Sequence, residues 1–473
     1  MTSRRIYAKR WNNKINTVTV FLQRIQPQNF FLAVALFFGT VLILITPIFM
    51  GPDEPAHFYT IARYSNGYVA PTQEDGKTGI RLQSGAAELR RFEKNPVSFR
   101  TYEYHKEVPK LLSLKLDSFR SSFYTQANFT AYSPIAYAHY IITYTAGALL
   151  NINPFILFML MRLVGLLVYI CLVFLAIKII PRGKWLYVTL ALLPMSLFIA
   201  GVIGADGLVI GSTMLLVAMI FNGIINPKVL NKKYLLYILG VVLVLGLSKQ
   251  TYFLTALLLF ALPAPKAYRK FKWYLALGAI FLIVTGCMFV WYMYTGKYTN
   301  ISSGYAVDSS KQLQGVLHNP FFFVRAVLRS YITTNATPIY LGFIGVLGWL
   351  TISLPIWITV GWLLVLFKSA HGGKKVAKVL SSLLQWFIFI IVPLMLTMVL
   401  TLGLYLTWTP VGSALVDGLQ GRYFLPIAAI LLPLLVLNKS EPNDKSRVFI
   451  LLSVMFLQIS TLVVYAFYYI KFR

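Results

Sequence analysis

Apolar residues in this chain gather into long runs separated by short polar stretches. A helix needs about 20 consecutive apolar residues to cross a bilayer, and runs near that length recur from one end of the chain to the other. They predict spans at 30–50, 158–178, 185–203, 207–226, 234–247, 250–264, 273–294, 340–367, 383–406, 422–437 and 448–468, about eleven in all. The pair flanking Ser248-Lys249-Gln250 is short enough to consist of broken helices. The stretch Ala131–Leu150 reads differently. It opens Ala-Tyr-Ser-Pro and carries His139 and tyrosines 132, 137, 140 and 144, a composition suited to an interfacial or re-entrant helix. The fold class expected is an all-α integral membrane protein.

Composition agrees. Of the 473 residues 58% are hydrophobic and only 12% charged, which sets aside a soluble enzyme. The first apolar run follows a basic segment and lacks a small-residue cleavage pattern, so it reads as a retained helix rather than a signal peptide. A net charge of +29 does not imply nucleic acid, because the bases lie in short loops where they set orientation and meet anionic lipid. Cys171 and Cys287 both fall inside apolar runs and predict no structural disulfide.

The basic clusters are Arg4–Arg24, Lys178-Arg182-Lys184, Lys228-Lys232-Lys233, Lys266–Lys272, Lys368–Lys378 and Lys439–Arg447. The positive-inside rule puts them all in the cytoplasm. That requires 131–150 to stay outside, and gives a cytoplasmic N-terminus in a multi-pass protein of the plasma membrane. The expected layout is a basic N-terminus (1–29), a first helix (30–50) and a large outer loop (51–157). Helices over 158–294 follow, with a short outer turn at 204–207, then a second outer loop (295–339) and C-terminal helices over 340–473. Twelve of the 14 acids then fall on the outer side, although acids had no part in fixing the orientation.

This arrangement collects scattered polar residues on the outer face: Asp53, Glu54, His57 and Arg63 after the first span, Arg162, Asp206, Lys249, and Gln420-Gly421-Arg422-Tyr423. Acids where a helix leaves the bilayer point to function. Carboxylates beside bases suit a phosphate-linked substrate: a carboxylate takes the proton of an acceptor hydroxyl, while Arg and Lys neutralise a leaving phosphate. Each residue also has a plainer use. Arg162 and Lys249 can snorkel to the interface, Asp206 can cap the helix beginning at Gly207, Arg422 can pair with Asp417 at little energetic worth, and Asp308 reads as loop. Asp53, Glu54 and Asp206 form a candidate divalent-cation (Mg or Mn) site, with no cofactor certain.

Five motifs carry a resemblance: Gly51-Pro-Asp-Glu-Pro-Ala-His57; Leu193-Pro-Met-Ser196 followed by Gly204-Ala-Asp-Gly207; Ser248-Lys-Gln-Thr-Tyr252; Phe343-Ile-Gly-Val-Leu-Gly-Trp349; and Gln420-Gly-Arg-Tyr-Phe-Leu-Pro426. In this order, from about 30 to 437, they resemble the bacterial membrane proteins of domain-of-unknown-function family 2142. Members usually have Ser or Val before the acid of the second motif, where this chain has Gly204-Ala205. That family in turn resembles the GT-C class of glycosyltransferases, which take sugars from polyprenyl phosphates and carry interfacial helices in a large first outer loop. The resemblance implies Asp53 as the acceptor-activating base, Glu54 as its partner and Asp206 as a second-loop acid that assists or binds a metal. The phosphate- and substrate-binding candidates His57, Arg63, Arg162, Lys249, Gln420, Arg422 and Tyr423 rest on their own chemistry. Lys311, Gln312, Gln314, His318, Arg325 and Arg329 of the second outer loop are expected to close over the donor.

The function expected is transfer of a sugar, with inversion, from a polyprenyl-phosphate-linked donor to a hydroxyl of a cell-envelope glycopolymer. Membrane lipid is a further partner and nucleic acid is not. A flippase or transporter for a lipid-linked glycan would use the same residues without bond chemistry, and a scaffold for envelope assembly would merely inherit them.

Overall fold

A computed structural model describes residues 22–92, 108–116, 121–125, 132–299, 307–333, 336–371, 373–375, 380, 382–436, 439 and 441–470. Most of the basic N-terminus, and Glu93, Lys94, Glu103, Glu107 and Asp117 of the first loop, lie outside these residues.

Among the described residues, six helices are long and apolar enough to cross a membrane. They are α1 (Pro27–Ile45), α5 (Pro154–Ile179), α8 (Asp206–Ile225), α10 (Lys270–Thr299), α15 (Leu383–Thr407) and α17 (Asp444–Ile470). α1 and α5 begin on Pro at a position whose N–H has no helical partner to lose. α8 is the hub. Its apolar window is 83% buried against 22% for α10, so α8 is surrounded by protein and α10 is peripheral.

Shorter apolar elements fill the bundle: α6 (Lys184–Ala191), α7 (Pro194–Ala200), α9 (Lys232–Ser248), α14 (Ile356–His371), and a segment 421–436 in which α16 (Leu425–Leu431) is flanked by 3-10 turns. Where one span was expected over 185–203, the helix breaks at Leu192–Leu193, because Pro194 cannot continue the hydrogen-bond ladder. Apolar surroundings demand that the freed carbonyls find donors. Ser196 Oγ donates to Leu190 O (2.9 Å), Tyr169 Oη to Ala191 O (2.8 Å) and Gln458 Nε2 to Leu192 O (2.5 Å). The segment Gln250–Ala261 is wound throughout as a 3-10 helix. At about 2.0 Å per residue its twelve residues reach about 24 Å, against about 18 Å for an α-helix.

The span expected over 340–367 is also divided. α13 (Thr337–Ile344) stops at Gly345, and a small hairpin of β4 (Val346–Leu347) and β5 (Ile352–Ser353) intervenes before α14. Leu350 and Gly348 both take positive φ in its turn.

The first loop builds a cap at one end of the bundle. It contains α2 (Glu54–Ser65), a short helix α3 (Ser84–Glu88) and α4 (Pro134–Leu149), together with an antiparallel sheet that the expected interfacial helices did not include. β1 (Thr72–Glu74), β2 (Lys77–Gln83) and β3 (Ser121–Thr125) pair in the order β1-β2-β3. Asp75 and Gly76, both at positive φ, make the two-residue turn between Glu74 and Lys77. A second apolar core, including Phe49, Phe58, Leu82, Tyr140 and Phe158, seals the cap to the bundle. The stretch expected to be interfacial is α4, packed on α2 and α5. The second loop forms α11 (Ser309–His318), capped by Asp308, which accepts from Lys311 N at 3.0 Å, and α12 (Pro320–Ile332).

Candidate functional site

The two adjacent acids of the first motif part company because of the backbone between them. α1 ends at Thr46-Pro47, and the turn that follows holds Phe49 and Asp53 at φ 60°. Left-handed backbone is costly for residues with a Cβ and persists where surrounding structure enforces it. Gly51 is part of that enforcement, since a Cβ there would come within 2.2 Å of Val202. Asp53 precedes α2 without capping it, while Glu54 starts the helix and turns inward.

Glu54 is wholly buried and each of its oxygens accepts two hydrogen bonds. Oε1 receives Arg162 Nε (2.8 Å) and Ile203 N (3.1 Å); Oε2 receives Arg162 Nη2 (2.7 Å) and Gly51 N (3.1 Å). Arg162, equally buried, also donates to the Thr46 and Pro47 carbonyls at 2.6 and 2.8 Å. A bidentate pair of this kind is short, strong and directional. It ties together the end of α1, the start of α2, the body of α5 and the turn before α8. The expected roles of Glu54 as partner to the base and of Arg162 as a snorkelling or phosphate-binding residue are corrected here: both are occupied with each other, out of solvent.

Asp53 instead faces Arg422. Its carboxylate is 49% exposed and accepts from Arg422 Nη2 at 2.5 Å. Arg422 Nη1 lies 3.2 Å from Asp206 Oδ2, and the other oxygen of Asp206 pairs with Lys249 Nζ. Gln420 Oε1 accepts from Arg422 Nε at 2.7 Å, and Tyr423 Oη lies 3.4 Å from Nη2. Two carboxylates and two cations thus alternate along one row: Asp53, Arg422, Asp206, Lys249. Arg422 does not meet Asp417, and Asp206 is the first residue of α8 with no side-chain capping bond. Lys249 terminates α9 where the 3-10 helix begins. Arg422 is set by Gly421, whose bare α-carbon packs on the backbone of α13; a Cβ there would lie 2.1 Å from Phe343 N.

Aromatic side chains wall the row. Lys249 Nζ lies 5.0 Å from the Tyr423 ring centre and 5.8 Å from that of Tyr132, within reach of a cation–π contact. His57 stacks on Tyr132 and its Nδ1 lies 2.6 Å from Tyr137 Oη. Burial pulls the His57 imidazole down to about 4 against the pull of Asp53 and Asp206, so it is neutral at neutral pH. For Asp53, burial works upward but is outweighed by Arg422 and His57, and the carboxyl titrates below its ordinary value. Burial raises the Tyr132 phenol, which stays protonated.

Of the ten candidates, Asp53, His57, Asp206, Lys249, Gln420, Arg422 and Tyr423 come together. Glu54 and Arg162 form the scaffold beneath them. Arg63 is buried in the last turn of α2, with its guanidinium 4.9 Å from the Tyr64 ring centre. Arg325 and Arg329 are exposed on α12, while Gln312 of α11 bonds to Tyr405 O and Gly412 N at 3.2 and 2.9 Å, which makes it a strut of that loop. Tyr132, Tyr137 and Tyr252, whose Oη donates to Tyr423 O at 3.1 Å, were not singled out as site residues. Tyr252 lies within the Ser248–Tyr252 motif, and Tyr132 opens the tyrosine-rich stretch, so both had a visible signal.

A divalent cation does not fit the three acids proposed for it. Both Glu54 oxygens are filled, and the Arg422 guanidinium stands between Asp53 and Asp206, where a hard cation would need free oxygen donors. Among the described residues no three His, Cys, Asp or Glu side chains gather as a metal site.

Long apolar helices around a charged cluster, with a cap over one end, define a polytopic membrane protein with a built polar site. A family model described as predicted membrane protein (DUF2142) matches residues 36–431, and the chain belongs to that family. The match takes in every residue of the cluster. No curated protein and no solved structure matches the chain.

Proposed function

We propose that this protein is a glycosyltransferase of the plasma membrane that takes a sugar from a polyprenyl-phosphate-linked donor and gives it, with inversion, to a hydroxyl of a cell-envelope glycopolymer. In this reading about eleven spans cross the bilayer, the N-terminus is cytoplasmic, and the cap with its cluster lies outside, as in a GT-C enzyme. The observation that carries it is the Asp53–Arg422–Asp206–Lys249 row. It sets an exposed carboxylate against two cations at a helix-bundle end, where a lipid headgroup would sit.

Asp53 is the base. Held ionised below its ordinary carboxyl value, it accepts the acceptor's hydroxyl proton as that oxygen attacks the anomeric carbon. The bond from that carbon to the phosphate oxygen breaks, and the leaving polyprenyl phosphate keeps the electron pair. Arg422 and Lys249 neutralise the growing charge, and Asp206 keeps the two cations in place between turnovers. No metal enters any step.

A flippase for a lipid-linked glycan is the second reading, favoured by the break at Leu192–Leu193, since discontinuous helices mark many transporter sites. Its three freed carbonyls are closed by Ser196, Tyr169 and Gln458, which makes the break a sealed structural joint.

The discriminating experiment follows labelled sugar from a polyprenyl-phosphate donor in native membranes. Wild type should transfer it, and Asp53→Asn should lose at least about a hundredfold in rate while still binding the lipid, in line with removal of a general base. Donor carried across vesicles by wild type and never cleaved would establish the flippase instead.

A further inference from the structure

The charged row is balanced, and that has a consequence for any anion that enters it. Two carboxylates face two cations, so a phosphate arriving at Arg422 competes with the acids already paired to it. The two acids are not equally held. Asp206 is 13% exposed, begins the most buried of the six long helices, and pairs with both Lys249 and Arg422. Asp53 is 49% exposed, pairs with Arg422 alone and sits on left-handed backbone at φ 60°. The weaker tie is on Asp53.

Arg422 is arranged for such an exchange. Its Nε is fixed by Gln420 and its Nη1 by Asp206, so loss of Asp53 leaves the guanidinium plane where it was. Only Nη2 is vacated, with Tyr423 Oη 3.4 Å away. Nη2 and this phenol are donors of the kind a phosphate ester takes up. The Asp53 carboxylate occupies the place of that phosphate.

From this geometry we propose that Asp53 is a built-in mimic of the ligand's phosphate, closing a phosphate-ester subsite formed by Arg422 Nη2 and Tyr423 Oη, and that phosphate binding frees the carboxylate to act as base. The inference rests on the reading that the site takes a phosphate-linked lipid, and it adds a specificity rule. A neutral glycolipid cannot exchange with Asp53, so the base stays masked until the correct class of donor has bound. A ligand that binds only the open state has its affinity reduced by the fraction of time the site is open. Removing the mimic therefore tightens binding.

The test is equilibrium binding of polyprenyl monophosphate, and of the uncharged polyprenol, to full-length protein in nanodiscs. Wild type is compared with Asp53→Asn, Asp53→Gly and Arg422→Gln. Asn and Gly both accept positive φ, so these two Asp53 variants keep the turn, and a melting curve on each confirms folding. Asp53→Asn and Asp53→Gly should bind the phosphate about threefold to tenfold more tightly than wild type, Arg422→Gln at least tenfold more weakly, and the alcohol equally in all four. If Arg422→Gln loses binding but both Asp53 variants bind no better than wild type, the masking role is overturned while the phosphate reading stands. If wild type and Arg422→Gln bind phosphate and alcohol alike, the phosphate reading itself fails, and the masking role with it.

Discussion

At the scale of single residues, neighbours in sequence do opposite work. Asp53 and Glu54 share a peptide bond, yet one is half in solvent and the other is wholly buried on Arg162. Removing one member of a buried ion pair leaves the other charge bare, at a cost of about 3–5 kcal/mol. Glu54→Gln or Arg162→Met is therefore expected to lower the melting temperature sharply in detergent. The double variant should recover much of that loss, because it leaves no unpaired charge; thermal melts of the three proteins check this. Sequence gave a partial view of these roles. Loop charge put the acids and bases on one face, which is why Asp53, Asp206, Lys249 and Arg422 could be grouped. The division between Asp53 and Glu54 was hidden, because it depends on a left-handed φ that a Gly-Pro-Asp-Glu string does not disclose. Arg162 looked like a snorkelling arginine because its partner lies 108 residues away in the chain.

At the scale of elements, the site is made of helix ends, and what places each end is close backbone packing. Gly421 touches α13 through its α-carbon, and an added methyl would fall 2.1 Å from Phe343 N. Gly421→Ala is expected to displace Arg422, lower thermal stability and weaken phosphate-lipid binding. Gly240, inside α9 with open space around it, is the control. Gly240→Ala should be neutral or stabilising by roughly 0.5–1 kcal/mol, because alanine loses less backbone entropy in a helix. Long runs such as α5 and α15 were plain in the sequence, with ends within a few residues of those observed. Two kinds of element were not. Breaks at 192–193 and 345–355 lie inside continuously apolar stretches, where hydropathy is blind to Pro and Gly punctuation. The small sheet had a local signal in Asp75-Gly76, but its strands are too short to stand out beside the apolar runs.

At the scale of the whole molecule, lysines outside the charged row lie at the far ends of helices that reach it. Lys178 and Lys232 lie at the ends of α5 and α9 opposite to those that carry Arg162 and Lys249. Single cysteines tested in a Cys171→Ser, Cys287→Ser background with a membrane-impermeant maleimide report the orientation. Asp75→Cys in the cap should label in intact cells, and Lys228→Cys only after lysis. Labelling of both in intact cells would break the proposed topology.

The Arg162 knot also bears on the order in which the protein can be made. Its members leave the ribosome far apart: Thr46, Pro47, Gly51 and Glu54 first, Arg162 more than a hundred residues later, and Ile203 later still. Until the third of these arrives, a carboxylate waits for its cation and then the pair waits for its last amide. A chain in which the helix carrying Arg162 is inserted the wrong way round does not complete the knot and leaves the Glu54 carboxylate without its cation. Correct threading is thereby written into the same few bonds that later hold the row of charges in place, so assembly is inspected by the part that depends on it.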